Sequence, residues 1–218
     1  SMLRFWERRA RRLLPAALVM SLACWLLGSF LLLPGEFLRL SEEMLSHCTF
    51  VSNIYFWLNT DYFSPKSELR PLLNTWSLSV EEQFYLIVAP LLIFIWGRWR
   101  VRGAEATIWF ITGASLISAI AWRHIDPDAT FYLLPFRAWE LGFGAILAIR
   151  QPVLAGHVAT FVAVAALAIL IVAYFYFPSA RSPGKGTFLA TFATAALLAS
   201  TEARTPVTRA LSVAPLVW

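Results

Sequence analysis

Three short charged motifs stand out from an otherwise apolar chain. The first, Arg4-Phe5-Trp6-Glu7-Arg8-Arg9-Ala10-Arg11-Arg12, puts five arginines in front of a long apolar block. Arg8 and Arg12 are four apart and Arg8 and Arg11 three apart, so each pair shares a helix face. Guanidinium forks take phosphate oxygens two at a time, and a phosphorylated ligand could be gripped there. A positively charged anchor at a membrane surface accounts for the same arginines. The second motif, Asn74-Thr75-Trp76-Ser77-Leu78-Ser79-Val80-Glu81-Glu82-Gln83-Phe84-Tyr85, carries two acids and an amide into an apolar block. Ser77 or Ser79 can cap a helix here, and Ser79 to Glu82 has the spacing of a capping box. That reading employs one carboxylate and leaves the other unexplained. An acid at bilayer depth costs about 2.5 kcal/mol or more on insertion scales. The third motif, Leu134-Pro135-Phe136-Arg137-Ala138-Trp139-Glu140-Leu141-Gly142-Phe143-Gly144, sets Arg137 and Glu140 three apart on one face. They form either a local ion pair or one wall of a polar pocket. Gly142 and Gly144 leave room for a neighbouring helix.

The elements that position these motifs follow from composition. Of the 218 residues 59% are hydrophobic and 14% charged, against roughly 45–50% and about 25% in a soluble domain. The apolar residues come in unbroken blocks rather than alternating, which excludes a strand-built barrel. The expected class is all-α, a polytopic transmembrane helix bundle with about six spans. These are Leu13 to Pro34, Leu78 to Trp96, Ala106 to Trp122, Phe131 to Ile149, His157 to Phe177 and a short one, Thr187 to Ser200. The basic segment before the first span does not make it a signal peptide, because the block is too long and lacks a small-residue cleavage site. Between the first two spans, residues 36–77 read as a loop rich in Ser, Asn, Asp and Pro. Its aromatic stretch Phe50 to Leu58 is too short to cross, and lies on the surface or packs on the helices.

Orientation follows the basic residues. One side holds eleven, namely Arg4, Arg8, Arg9, Arg11, Arg12, Arg98, Arg100, Arg102, Arg150, Arg204 and Arg209. The other holds six: Arg39, Lys66, Arg70, Arg123, Arg181 and Lys185. The richer side is expected to be cytoplasmic, with the amino terminus inside and residues 36–77 outside. The net charge of +5 is thereby explained without nucleic acid. Cys24 and Cys48 offer neither a disulfide framework nor a metal pair. His47, His124 and His157 have no acid at metal-ligand spacing and read as solvated or interfacial, so no metal is expected. G-x-S-x-G, Walker and H-E-x-x-H motifs are absent, which removes support for soluble hydrolase, nucleotide-hydrolase and zincin chemistry.

Taken together, FWERRARRLLPA, NTWSLSVEEQFYL and LPFRAWELGFGAILA resemble, in order, the motifs of the acyltransferase 3 family. These are integral membrane enzymes that O-acylate extracytoplasmic saccharides. The resemblance implies transfer of an acyl group, usually acetyl, from cytoplasmic acetyl-CoA to a hydroxyl of O-antigen, exopolysaccharide or peptidoglycan. It implies that Arg8, Arg9, Arg11 and Arg12 hold the coenzyme's phosphates. Glu81, Glu82, Arg137 and Glu140 fall to catalysis, lining a pocket that leads to the outer face, and Asn74, Trp76, Ser77 and Tyr85 to substrate contact. The implied setting is a bacterial inner membrane, the implied partners membrane lipid and a saccharide or lipid-linked saccharide.

Two departures qualify this. The family commonly has histidine where this chain has Asn74. Its catalytic-base histidine belongs to a span ahead of this Ser1, and further helices follow beyond Trp218. The expectation is a single acyltransferase-like membrane domain, 1–218, incomplete at both ends and catalysing little by itself, since a sugar hydroxyl needs a base to attack a thioester. A transporter or lipid-linked sugar translocator lined by the same charges, and an inactive fragment, are the alternative readings.

Overall fold

The computed structural model describes residues 2–59, 70–152, 154–177, 183–203 and 205–212. Lys66, Arg181 and Arg204 of the charge count, the middle of the 36–77 segment and the 214–218 end lie outside the described residues. Among the described residues the regular structure is helical throughout: α1 (Met2–Leu31), α2 (Pro34–Cys48), α3 (Ser52–Asn59), α4 (Thr75–Trp122), α5 (Pro127–Tyr132), α6 (Leu134–Arg150), α7 (Gly156–Tyr176), α8 (Lys185–Ala199) and α9 (Pro206–Leu211), with a 3₁₀ turn at Thr201–Ala203. Four helical stretches are long and apolar enough to cross a membrane: Met2–Leu31, Thr75–Trp122, Pro127–Arg150 and Gly156–Tyr176. The all-α class is as expected, and the span count broadly so. The second and third expected spans both lie in α4, whose 48 residues would run about 72 Å at 1.5 Å per residue. That is more than twice a bilayer's hydrocarbon thickness of about 30 Å. Arg100, at φ 54 and ψ −151, breaks it between Arg98 and Arg102, where the sequence places a junction. The chain divides into two compact units, Ser1–Phe94 with Tyr132–Leu134, and Ile95–Phe131 with Pro135–Trp218.

In the first unit α1 carries no charge beyond Arg12 and leaves Val19, Leu27 and Phe30 exposed, as a lipid-facing helix does. Pro34 opens α2 at a position where a missing N–H costs nothing, and Glu36 accepts from the Leu33 amide at 3.1 Å. α2 then lies back along α1. Trp25 Nε1 donates to Ser41 Oγ at 3.2 Å, the Trp25 and Phe37 rings meet at 5.5 Å, and a Cβ on Gly28 would collide with Leu40. Within the segment expected as an outer loop, Pro34–Cys48 and Ser52–Asn59 are helices, and the aromatic stretch packs through Phe56. The reason the segment looked like a loop is that α2 turns Glu43, Ser46 and His47 inward with Leu40, so the short apolar stripe of Phe37, Leu40 and Met44 is interleaved with polar residues.

In the second unit the core is aromatic and small-residue. Trp139 of α6 is fully buried against Phe143 and Phe188, and Phe143 meets Phe192 at 5.0 Å. α7 packs through Ala159, Ala163, Ala166 and Ala173, the small residues that let membrane helices approach. A Cβ on Gly142 would strike Thr112, whereas one on Gly144 would meet nothing within 4 Å. The close approach expected of both glycines belongs to Gly142.

Candidate functional site

Helical geometry sorts the five arginines of the first motif. Arg9 turns inward with its side chain 15% exposed, while Arg8, Arg11 and Arg12 face outward and Arg11 pairs with Glu7 at 2.7 Å. Arg9 Nε donates to Glu82 Oε1 at 2.6 Å and Nη2 to Glu81 Oε2 at 3.4 Å. Its guanidinium also lies 3.8 Å from the centre of the Tyr85 ring, a cation–π contact with the residue one turn beyond Glu81. The Glu82 side chain is 11% exposed and that of Glu81 49%. The first two motifs thus form one cluster, and the carboxylate that capping left unexplained has a guanidinium partner.

This contact corrects two expectations. Ser79 and Glu82 do not form a capping box: the helix already begins at Thr75, Ser79 is buried with its Oγ 2.7 Å from Ser52 Oγ, and Glu82 is bound to Arg9. Nor can the arginines sit at one membrane face and Glu81 with Glu82 at the other, since a 2.6 Å ion pair joins them. Counting charges along the chain cannot detect a helix that begins part-way down its neighbour.

Around the pair lies a buried polar layer. Asn53 and Gln83 exchange hydrogen bonds at 3.2 and 2.8 Å, Gln83 Nε2 donates to the Phe50 carbonyl at 2.9 Å, and Asn53 Nδ2 donates to the Tyr132 carbonyl at 3.2 Å. Thr75 Oγ1 reaches Ser52 Oγ at 3.3 Å. These bonds satisfy polar groups that would otherwise be costly at depth, and they fix α4 against α3 so that Glu82 meets Arg9. Beside them opens a cavity of about 370 Å³, lined by Trp6, Arg9, Leu13, Leu14, Val51 and Glu82 among others. Among the described residues its lining is apolar apart from the ion pair, Gln83 and Thr49.

Of the other predicted residues, Trp76 is buried edge-on to Tyr132, with ring centres 5.5 Å apart. Asn74 and Ser77 are exposed, joined by a 3.1 Å bond from Ser77 Oγ to the Asn74 carbonyl. In the second unit Arg137 Nη2 donates to Glu140 Oε2 at 2.8 Å, with the two side chains 18% and 19% exposed, and the guanidinium lies 5.6 Å from the Phe131 ring centre. The i,i+3 pair read from the sequence is present. Glu140 also lines a cavity of about 240 Å³ with Phe143, Gly144 and Thr194.

Sequence reasoning missed Asn53, Ser52, Glu43 and His47. His47 was expected to be solvated or interfacial, but is 3% exposed with Nδ1 unpartnered among the described residues, and burial lowers its pKa. His124 and His157 are exposed as expected. Nothing in residue type or spacing separates these three histidines; only the backfolding of α2 does.

The fold class and the joined motifs define a multi-pass membrane protein, and the chain belongs to the acyltransferase 3 family, whose acyltransferase domain matches residues 1–213. It is similar to the peptidoglycan O-acetyltransferase OatA of Listeria monocytogenes, 36% identical over 156 residues, 68% of this chain and 24% of that protein. It is also similar to the O-acetyltransferase OatA of Staphylococcus aureus, 32% identical over 155 residues, 69% of this chain and 25% of that one. An uncharacterized protein of Haemophilus influenzae is 29% identical over 160 residues, 68% of this chain and 63% of that protein. The chain therefore spans about a quarter of the length of the OatA relatives. No solved structure matches.

Proposed function

We propose that this chain is the membrane portion of an O-acyltransferase that moves an acetyl group from acetyl-CoA to a hydroxyl of an envelope saccharide, with peptidoglycan glycan the first acceptor to test. The observation supporting it is the Arg9–Glu82 pair, which ties the family's basic and acidic motifs into one half-buried cluster beside an apolar cavity. The setting proposed is the bacterial inner membrane with the amino terminus cytoplasmic.

In this reading the exposed Arg8, Arg11 and Arg12 take the donor's phosphates, and the cavity beside Trp6, Leu13 and Leu86 receives its uncharged arm. Arg9 spends N–H donors on Glu82 and Glu81 and keeps others, which can stabilise the oxyanion that forms when the sugar oxygen attacks the thioester carbon. The C–S bond then breaks and the thiolate takes up a proton. The resemblance assigns the proton-accepting role to a histidine of another span. Glu82 holds Arg9 in place, and Tyr85 supports it from below. Arg137 and Glu140 keep their catalytic assignment, while Asn74 and Ser77 are exposed and free to meet a substrate.

The test is transfer of labelled acetyl from acetyl-CoA to glycan strands by the full-length gene product in membrane vesicles. The expected loss is on the order of 100-fold for Arg9→Ala and for Glu82→Gln, the scale of one transition-state donor removed. Wild-type rates in both variants would overturn the assignment. Vesicles that carry glycan across the membrane without acetylating it would instead make the protein a translocator.

A further inference from the structure

A second cavity, of about 480 Å³, opens where α2 leaves α1. That volume lies within the range of about 300–1,000 Å³ typical of small-molecule sites. Its rim carries Glu36 and Arg39, both exposed, and Glu43 and Arg70 lie deeper, against apolar Leu32, Leu40 and Pro71. Glu36, Arg39, Glu43 and His47 recur on one face of α2. Arg70 Nη1 stands 3.5 Å from Glu43 Oε1, and Arg70 Nη2 donates to the Asn59 carbonyl at 3.1 Å. Glu43 is 2% exposed, yet its Oε2 has no hydrogen-bond partner among the described residues. A buried carboxylate oxygen left without a donor is a costly arrangement that a ligand hydroxyl would relieve.

We propose that this cavity is a glycan-binding subsite, in which Glu43, Arg70 and the rim residues Glu36 and Arg39 hydrogen-bond the hydroxyls of one sugar unit of the acceptor. Three features select a neutral polyol. Among the described residues Glu36 and Glu43 stand against Arg39 and Arg70, so the lining carries between zero and one net positive charge as Glu43 titrates, too little to select an ion over a neutral ligand. Acceptor and donor stand side by side, which matches a hydroxyl that must do both. The apolar walls suit the C–H faces of a pyranose ring. Burial pushes the Glu43 carboxyl up to about 7, against the opposing pull of Arg70, so near neutrality it can donate as well as accept. The subsite is separate from the Arg9 cluster: the two cavities share no lining residue, Leu13, Leu14, Thr49 and Val51 bordering the first and Leu32, Leu40 and Pro71 the second.

The inference rests on the proposed function for the identity of the glycan, and its test reads binding rather than transfer. Full-length protein in nanodiscs is titrated with chitotetraose, a neutral N-acetylglucosamine oligomer, and separately with acetyl-CoA. Glu43→Gln and Arg70→Gln are expected to weaken chitotetraose binding at least tenfold and leave acetyl-CoA binding within twofold, and Arg8→Ala, in the set assigned to the donor's phosphates, to do the reverse. Arg39→Ala, on the exposed rim where folding is not at stake, should weaken the oligomer three- to tenfold. An oligomer affinity unchanged in Arg39→Ala and Glu43→Gln, or no measurable binding to the unmodified protein, overturns the subsite. If binding depends on Glu43 but no acetyl is transferred, the subsite stands and the acyltransferase reading falls.

Discussion

Arg9 and Glu82 meet at 2.6 Å with side chains 15% and 11% exposed, so each charge is matched by the other where little water reaches. Glu81, Glu82 and Gln83 stood out because an apolar block has no reason to carry them, and Arg137 with Glu140 because their spacing is that of a helix face. Arg9 could not be told from Arg8 by sequence, since what distinguishes them is a rotation of about 100° per residue set by packing against α4. Removing one partner of the Arg9–Glu82 pair leaves a half-buried charge unmatched. Arg9→Ala should therefore destabilise the protein by about 2 kcal/mol, below the 3–5 kcal/mol of a fully buried pair. Thermal unfolding in detergent checks this, and Arg9→Lys should recover part of the loss. Glu43 predicts a pH effect. Its folded pKa, raised by burial and by Glu42 against the lowering effect of Arg70, is about 7, and the unshifted value is 4.5. The protonated form is thus favoured by folding, its stabilisation is complete below about pH 4.5, and it is lost as pH rises toward 7. The same melting experiment at pH 5 and 7.5 should show a fall that Glu43→Gln flattens. An equal fall in that variant would place the effect elsewhere.

At the scale of elements, the spans were readable from hydrophobic length, and α1, α6 and α7 lie close to where the sequence puts them. What failed was α2, because a helix that buries Glu43, Ser46 and His47 carries only the short apolar stripe Phe37, Leu40 and Met44, and its Ser and Glu content imitates a loop. Gly142 and Gly144 show how far spacing alone carries: both are small, but only Gly142 faces a neighbour. Gly142→Ala should lower the melting temperature, because the new methyl group displaces Thr112, whose hydroxyl bonds the Ile108 carbonyl at 2.7 Å. A compensating Thr112→Ala should restore most of the loss. Gly144→Ala should be neutral or slightly stabilising, as expected for Gly to Ala in a helix. A reversed ranking of the two single variants in a melting series would contradict the packing described for α6.

At the scale of the whole molecule, the family could be read from three motifs in order, whereas the side of the membrane to which each belongs could not, because the charge count treats every span as full length. The ion pair requires Arg8 and Glu81 to share a side. Single cysteines at those two exposed positions, in a chain otherwise free of Cys24 and Cys48, should react with an impermeant maleimide from the same face of sealed vesicles. Labelling from opposite faces would rule out the pairing. The most direct test of the central claim is a double-mutant cycle on acetyl transfer with Arg9→Ala, Glu82→Ala and the pair together. If the two residues act as one unit, the double variant transfers acetyl no more slowly than the worse single variant. Losses that multiply would mean that Arg9 and Glu82 work independently, and the joined site would have to be abandoned.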